Sequence, residues 1–167
     1  MTSRSLNDLP SGIDVFIDAN VFVYGLNGKS AQCKAFLERC SREDVVGISM
    51  FEIVSEATHK FMLAEALSKG VITKDLASHL RKNFASIPTL HSYWEDTERI
   101  LRLNLLIIGT DEPTLRAAYA ERQVACLLTN DSMIVACMRR LGVSHLATND
   151  GDFMRVKGIK VFQPDDV

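Results

Sequence analysis

The 167-residue chain has the length of one domain and room for a buried core. Its hydrophobic fraction of 47% and charged fraction of 24% are those of a globular protein, and a net charge of -2 excludes a global basic field for a polyanionic partner, leaving a local basic patch or a metal as the means. No apolar run reaches the roughly 20 residues that cross a bilayer, Met1 to Gly12 lacks the apolar stretch of a secretory signal, and Cys33, Cys40, Cys126 and Cys137 show no Cys-x-x-Cys spacing, so free thiols in a reducing cytoplasm are expected.

Taken in chain order, the apolar run Ile13–Ile17 predicts a strand that ends in Asp18, with Asn20 two residues on. Asp and Asn form turns and caps there. Asp-x-Asn after a first strand also suits a metal ligand with an amide beside it, which is the preferred reading. Asp-Ala-Asn lacks the second acid that haloacid-dehalogenase phosphatases use. A helix is predicted over Ser30–Cys40, with Cys33 and Cys40 on one face, then a strand over Val45–Ile48 and a helix over Phe51–Leu67. Two acids in that last helix compete for one role. Glu52 stands three residues after Ser49, the spacing of a capping box. Glu56, a turn further on, has no cap to explain it and is preferred, with an ion pair to Lys60 as the alternative.

Gly70–Asn104 predicts two helices, Lys74–Ala85 capped by Thr73 and Tyr93–Leu103, broken at Ile87-Pro88-Thr89. They read as a helical pair packed on the sheet, with a nucleic-acid surface as the alternative. The strand Leu105–Ile108 leads to a helix over Pro113–Arg122, where proline suits the first position and Asp111 or Glu112 the cap. Asp111 is set aside on that ground. Val124–Leu128 predicts a further strand running through Thr129 and Asn130 into the helix Ser132–Leu141, with Asn130 as cap. Asp131 then opens the helix, where the dipole favours an acid, at the same rim as Asp18. The strand His145–Thr148 runs out before Asn149-Asp150-Gly151-Asp152. Asp150 is the first choice there and Asp152 an accessory ligand or turn residue. Lys160–Phe162 is the last predicted strand, and Gly70 and Gly142 close helices.

Short apolar runs alternating with amphipathic helices predict an α/β fold with a central parallel sheet. In such sheets the ligand crevice lies outside the carboxyl ends of the strands. Asp18, Glu56, Asp131 and Asp150 fall at that rim and would repel one another without a cation. Carboxylates of this kind suit Mg²⁺ or Mn²⁺ and phosphodiester hydrolysis. The four histidines show no His-x-x-x-His spacing, which argues against zinc. Arg139, Arg140, Arg155, Lys157 and Lys160 lie near the last two motifs and could steer a phosphodiester substrate, although Arg139 and Arg140 equally suit a helix C-terminus.

With Phe16-Ile17-Asp18-Ala19-Asn20-Val21, Leu128-Thr129-Asn130-Asp131 and Thr148-Asn149-Asp150-Gly151-Asp152-Phe153 in this order, the chain resembles the PIN-domain family, and most of all VapC-type toxins. The resemblance covers about Ile13 to Pro164, and Ser55-Glu56-Ala57-Thr58-His59-Lys60 looks like the family's second-acid helix. It implies a three-layer α/β/α sandwich with a central parallel sheet, with residues 1–167 as one domain. It further implies a Mg²⁺- or Mn²⁺-dependent ribonuclease acting on single-stranded or loop RNA. Asp18, Glu56, Asp131 and Asp150 carry over as the catalytic acids, the first and last two as metal ligands. Asn20 and Thr129 fit supporting positions. A protein antitoxin and a homodimer are implied as well. The chain departs from the family in the length of Gly70–Asn104 and in the wider spacing from Ser49 to Glu56. Two rivals remain: a catalytically silent PIN-fold module that binds RNA or protein, and a phosphotransferase or phosphatase on another α/β fold. The intact acids oppose the first, and Asp-Ala-Asn opposes the second.

Overall fold

A computed structural model describes residues 3–167. The elements run β1 (Arg4–Ser5), β2 (Asp14–Ile17), α1 (Ala19–Leu26), α2 (Ala31–Ser41), β3 (Val46–Met50), α3 (Phe51–Ser68), α4 (Ala77–Lys82), α5 (Ser92–Leu101), β4 (Leu106–Ile108), α6 (Glu112–Ala125), α7 (Thr129–Leu141), β5 (His145–Ala147) and β6 (Lys160–Gln163). The strands form one six-stranded sheet in the order β1-β6-β5-β2-β3-β4, every pair parallel. From β2 the chain steps outward to β3 and β4, then returns to the other side of β2 for β5 and β6. Right-handed crossovers put α1 to α5 on one face and α6 and α7 on the other. The packing agrees: α1 meets α2 and α3, α3 meets α5, and α6 meets α7. The result is the expected α/β/α sandwich, with order reversing at β2.

Strands buried on both faces carry unbroken apolar runs. In β2, Val15, Phe16 and Ile17 are all inaccessible to solvent. Gly47 in β3 lets helix and sheet close up: a Cβ there would lie 2.5 Å from Leu105 Cδ2 and 3.1 Å from Cys40 Sγ. Gly25 does the same for α1 on α2, where a Cβ would meet Leu37 Cδ1 at 2.8 Å. A second, smaller cluster of Leu63, Ala66, Ile72, Leu80 and Leu90 sits apart from the main core, beneath residues 70–91. The cysteines are free, with Cys33, Cys40 and Cys137 buried. Burial pushes the Cys40 thiol up to about 12 and Cys33 to about 11. Among the described residues, no helix is long and apolar enough to cross a membrane.

Several local expectations are corrected. Val124–Leu128 is not a strand: α6 continues to Ala125 and ends at Cys126, which takes a left-handed φ of 53°. The Arg155 guanidinium donates to the carbonyls of Ala125 and Cys126, the groups a strand would have turned to a neighbour. Asn130 lies inside α7, whose N-cap position is Leu128. Thr73 caps nothing: the predicted helix Lys74–Ala85 shrinks to α4, entered from Leu76, and is followed by a 3-10 stretch, Phe84–Thr89, that accommodates Pro88. The Ser49–Glu52 capping box does not form, because the Ser49 hydroxyl donates across the sheet to the Ile17 carbonyl at 3.0 Å and α3 begins without a side-chain cap. Two elements are additional, namely β1 beside β6 and α1 immediately after Asp18. Asp111 caps α6 as expected, accepting from the Thr114 N–H at 2.9 Å.

Candidate active site

Parallel strands deliver their following residues to one rim, and β2 and β5 are the central pair there. The Asp18 N–H donates to the Ala147 carbonyl and so extends their pairing past β2. Asp18 is also the N-cap of α1: its Oδ1 accepts from the Ala19 N–H at 2.6 Å. Its Oδ2 accepts from the Thr148 hydroxyl at 2.6 Å and from the Asn20 amide. The carboxylate is only 9% exposed. Burial pushes its pKa up, and Thr148 and the Ala19 N–H pull it back without cancelling the rise.

Thr148 ties these groups together and escaped the sequence reading, which saw only the last residue of a strand. It is fully buried. Besides donating to Asp18, its hydroxyl accepts from the Asp150 N–H at 2.9 Å and from Asn20 Nδ2 at 3.1 Å. The Asn20 carbonyl oxygen in turn accepts from the Asn149 N–H at 2.9 Å. Asn20 and Thr148 therefore lace the turn after β2 to the turn after β5. Asp150 opens a 3-10 turn, Gly151–Arg155, with its Oδ1 accepting from the Asp152 N–H at 2.8 Å.

Asp131 faces these acids from the first turn of α7, where the helix start places it without any strand before it. Carboxylate oxygens of Asp131, Asp150 and Asp152 all lie within 4.8 Å of one another. Burial is the main reason the Asp131 pKa rises to about 6, and the negative charges of Asp150, Asp18, Asp152 and Glu56 add to it. Glu56 sits at the edge of this group, paired with Lys60 at 2.8 Å and accepting from Asn130 Nδ2 at 3.4 Å. Its charge is among the main influences on both Asp18 and Asp131, whereas Glu52 is exposed on α3. Thr129 opens α7 and, with Met133 and Glu56, lines a cavity of about 150 Å³. Among the described residues its hydroxyl makes no hydrogen bond to the acids.

The basic residues near these motifs are largely committed within the fold. Arg139 pairs with Glu121 at 2.6 Å and donates to the Lys157 carbonyl. Arg140 grips Asp111 and holds that carboxyl well below the usual range. Arg155 pairs with Asp152 at 3.1 Å. Lys160 begins β6 and so lies at the amino end of the sheet, opposite the acids.

An oxygen-only set of close carboxylates, with Asp18 and Asp131 pushed up, fits a hard divalent cation and lacks the sulfur and imidazole donors of a zinc site. Comparisons with known proteins agree with this geometry. The PIN domain family model matches residues 15–159. Among solved structures, the chain is similar to VapBC2 from Rickettsia felis bound to a DNA fragment from its promoter (16% identity, TM-score 0.56, covering 91% of this chain and 99% of that one). It is similar to a toxin–antitoxin complex from Klebsiella pneumoniae (16%, 0.56, 87% and 94%). It is also similar to VapC20 from Mycobacterium tuberculosis, a sarcin-ricin loop cleaving toxin (14%, 0.53, 84% and 92%). No curated protein matches in sequence. At these identities the structural likeness is one of fold. The family match, by contrast, runs through every element that delivers an acid to the rim, and the chain belongs to the PIN domain family.

Proposed function

We propose that this protein is a Mg²⁺- or Mn²⁺-dependent endoribonuclease that hydrolyses phosphodiesters of single-stranded or loop RNA, and that it is the toxin of a toxin–antitoxin pair. The observation that carries the hydrolase reading is the convergence of the Asp131, Asp150 and Asp152 carboxylates within 4.8 Å of one another, with burial and neighbouring charge pushing Asp131 up. Membership of the PIN family, and the likeness in fold to toxin–antitoxin proteins, support RNA as the substrate class and a protein antitoxin as partner.

Asp18, Asp131 and Asp150 are the proposed ligands, and Asp152 is close enough to share the ion. When bound, the cation supplies Lewis acidity toward the phosphate and a water acidified toward neutrality. The chain's own task is to hold the donors still. Thr148, Asn20 and the Ala19 N–H fix both oxygens of Asp18, so its carboxylate cannot swing. Thr148 and Asp152 fix Asp150 through its N–H and its Oδ1. Glu56, with Lys60 beside it, stands where a proton or a water can be handed on at the edge of the cluster.

The test is cleavage of single-stranded RNA by the purified protein with Mg²⁺ or Mn²⁺ and with chelator. Asp18→Asn should lower the rate by at least about 100-fold while leaving the fold intact. Cleavage that survives both chelator and this substitution would overturn the assignment. An antitoxin partner and a homodimer belong to the same proposal. Co-purification with the product of an adjacent small reading frame, and light scattering, check them.

A further inference from the structure

We propose that the segment from Lys74 to Trp94 is a second RNA-contact surface, remote from the acids, that holds a longer strand while the rim cuts it; this rests on the ribonuclease reading. The segment covers a small apolar cluster apart from the main core. Asp75, beside Lys74, is its one acidic residue, and from Leu76 to Trp94 it has none, in a chain of net charge -2. Lys74, Arg81 and Lys82 are exposed, and among the described residues none of them forms an ion pair. The contrast rests on Arg81: arginines elsewhere are mostly paired, as Arg99 with Asp96, Arg102 with Glu98 and Arg116 with Glu112, whereas Lys29, Lys34, Lys157 and Lys160 form no ion pair among the described residues either.

A solvated face accounts for free cations but not for the apolar groups among them. Phe84 is 70% exposed and Trp94 50%. Aromatic faces beside unpaired cations are the composition of single-strand binding surfaces, where bases stack and phosphates meet the charges. A protein-docking face would instead be depleted of lysine. The segment is also held firmly. At its far end, buried Glu65 accepts from the His91 and Tyr93 N–H groups, both at 2.9 Å, and pairs with Lys69 at 2.6 Å. α3 connects the two regions: it carries Glu56 near its start, and Ser68 at its end lies about 18 Å further along the helix at 1.5 Å per residue. An RNA reaching both regions must therefore be several nucleotides long.

The experiment measures binding and cleavage of two unstructured RNAs, of about 4 and about 16 nucleotides, the range of single-strand site sizes. In an Asp18→Asn background with chelator, the double change Arg81→Glu and Lys82→Glu should weaken binding of the longer RNA by about tenfold and reduce the salt slope by about 1.4, the value for two lost phosphate contacts. Phe84→Ala should weaken it at least about fivefold with the slope unchanged, the signature of a lost stack. In the active protein, cleavage of the shorter RNA should be unaffected by either change. Unchanged affinity for the longer RNA overturns the proposal, as does a change in oligomeric state in its place, which would assign the face to a second copy of this chain. If the unaltered protein binds the longer RNA through this face but cuts neither RNA, the ribonuclease reading fails and the surface stands. If it cuts both and the variants behave alike, the surface alone fails.

Discussion

Asp131→Asn should make the metal-free protein more stable while destroying its site. The rise of the Asp131 pKa from 3.8 to about 6, at about 1.4 kcal/mol per pH unit, caps the cost of ionising it in the fold at about 3 kcal/mol. Asp131 is partly exposed, so solvent screening lowers that figure, and an amide also gives up the favourable interaction of an acid with the start of α7. A net gain of about 1 kcal/mol remains, which is about 2–4 °C in melting temperature for a chain of this size. The sign follows from proton uptake. Between pH 3.8 and about 6 the folded protein binds more protons at this carboxyl than the unfolded chain, so its stability falls as pH rises through that window. The variant lacks the effect. Its advantage should be full at about pH 7.5 and close as pH drops toward about 4. Thermal melts in chelator across this range provide the assay. Adding Mn²⁺ should then raise the unaltered protein and leave the variant where it was. A variant less stable than its parent in chelator near neutrality, or an advantage that persists at low pH, would refute the account of Asp131.

Three further outcomes are expected. Thr148→Val removes the donor to buried Asp18 and the acceptor of the Asp150 N–H, so stability should fall by about 1–3 kcal/mol and cleavage by about 10–100-fold, with Thr148→Ser restoring both; melts and rates that match the parent would remove Thr148 from the site. Burial would raise the Glu65 carboxyl, but Lys69 and the Tyr93 and His91 N–H groups hold it down at about 2, so its contribution is present above about pH 4.5 and lost as pH falls toward 2. Glu65→Gln should cost about 2 kcal/mol and speed hydrogen exchange across residues 84–94. Deleting Asp165 to Val167 removes the Asp166 carboxylate that accepts from Ser30 Oγ at 2.6 Å and the Gln32 N–H at 3.1 Å, and should cost about 1 kcal/mol in a urea melt.

The sheet was legible because its strands are buried on both faces and announce themselves as short apolar runs. The same signal misled at Val124–Leu128, where Val124 is 82% exposed and Leu128 75%: apolar content without a neighbouring strand does not make a ladder. The helix after Asp18 was hidden for the opposite reason. Val21, Phe22, Val23 and Tyr24 carry little helix propensity, and the helix forms because Phe22 is buried and Gly25 lets it close on α2. The candidate acids were legible as candidates because each follows a recognisable local pattern. The choice between Glu52 and Glu56 turned on a capping box that sequence spacing allowed and the fold declined, since Ser49 had a carbonyl to satisfy across the sheet. Thr148 could not have been found in this way. Its partner Asp18 lies 130 residues away, and a buried threonine at a strand end has no signature of its own.

The acids at the rim are unequal in how far protein groups offset their charge. Asp18 is the most buried, and although three donors from its own turn and the turn after β5 oppose the effect, burial still pushes its pKa up. Asp150 is drawn into a turn of its own and takes the Asp152 N–H. Glu56 leans on Lys60, and Asp152 on Arg155. Asp131 alone has no donor that lowers it: burial and the negative charges of Asp150, Asp18, Asp152 and Glu56 all push its carboxyl up. Asp18 and Asp131 are thus the two rim carboxyls pushed up, Asp18 by burial against its hydrogen bonds and Asp131 by burial and neighbouring charge. Under the proposed function a divalent cation would offset both costs, and metal affinity should fall when either residue is changed to Asn.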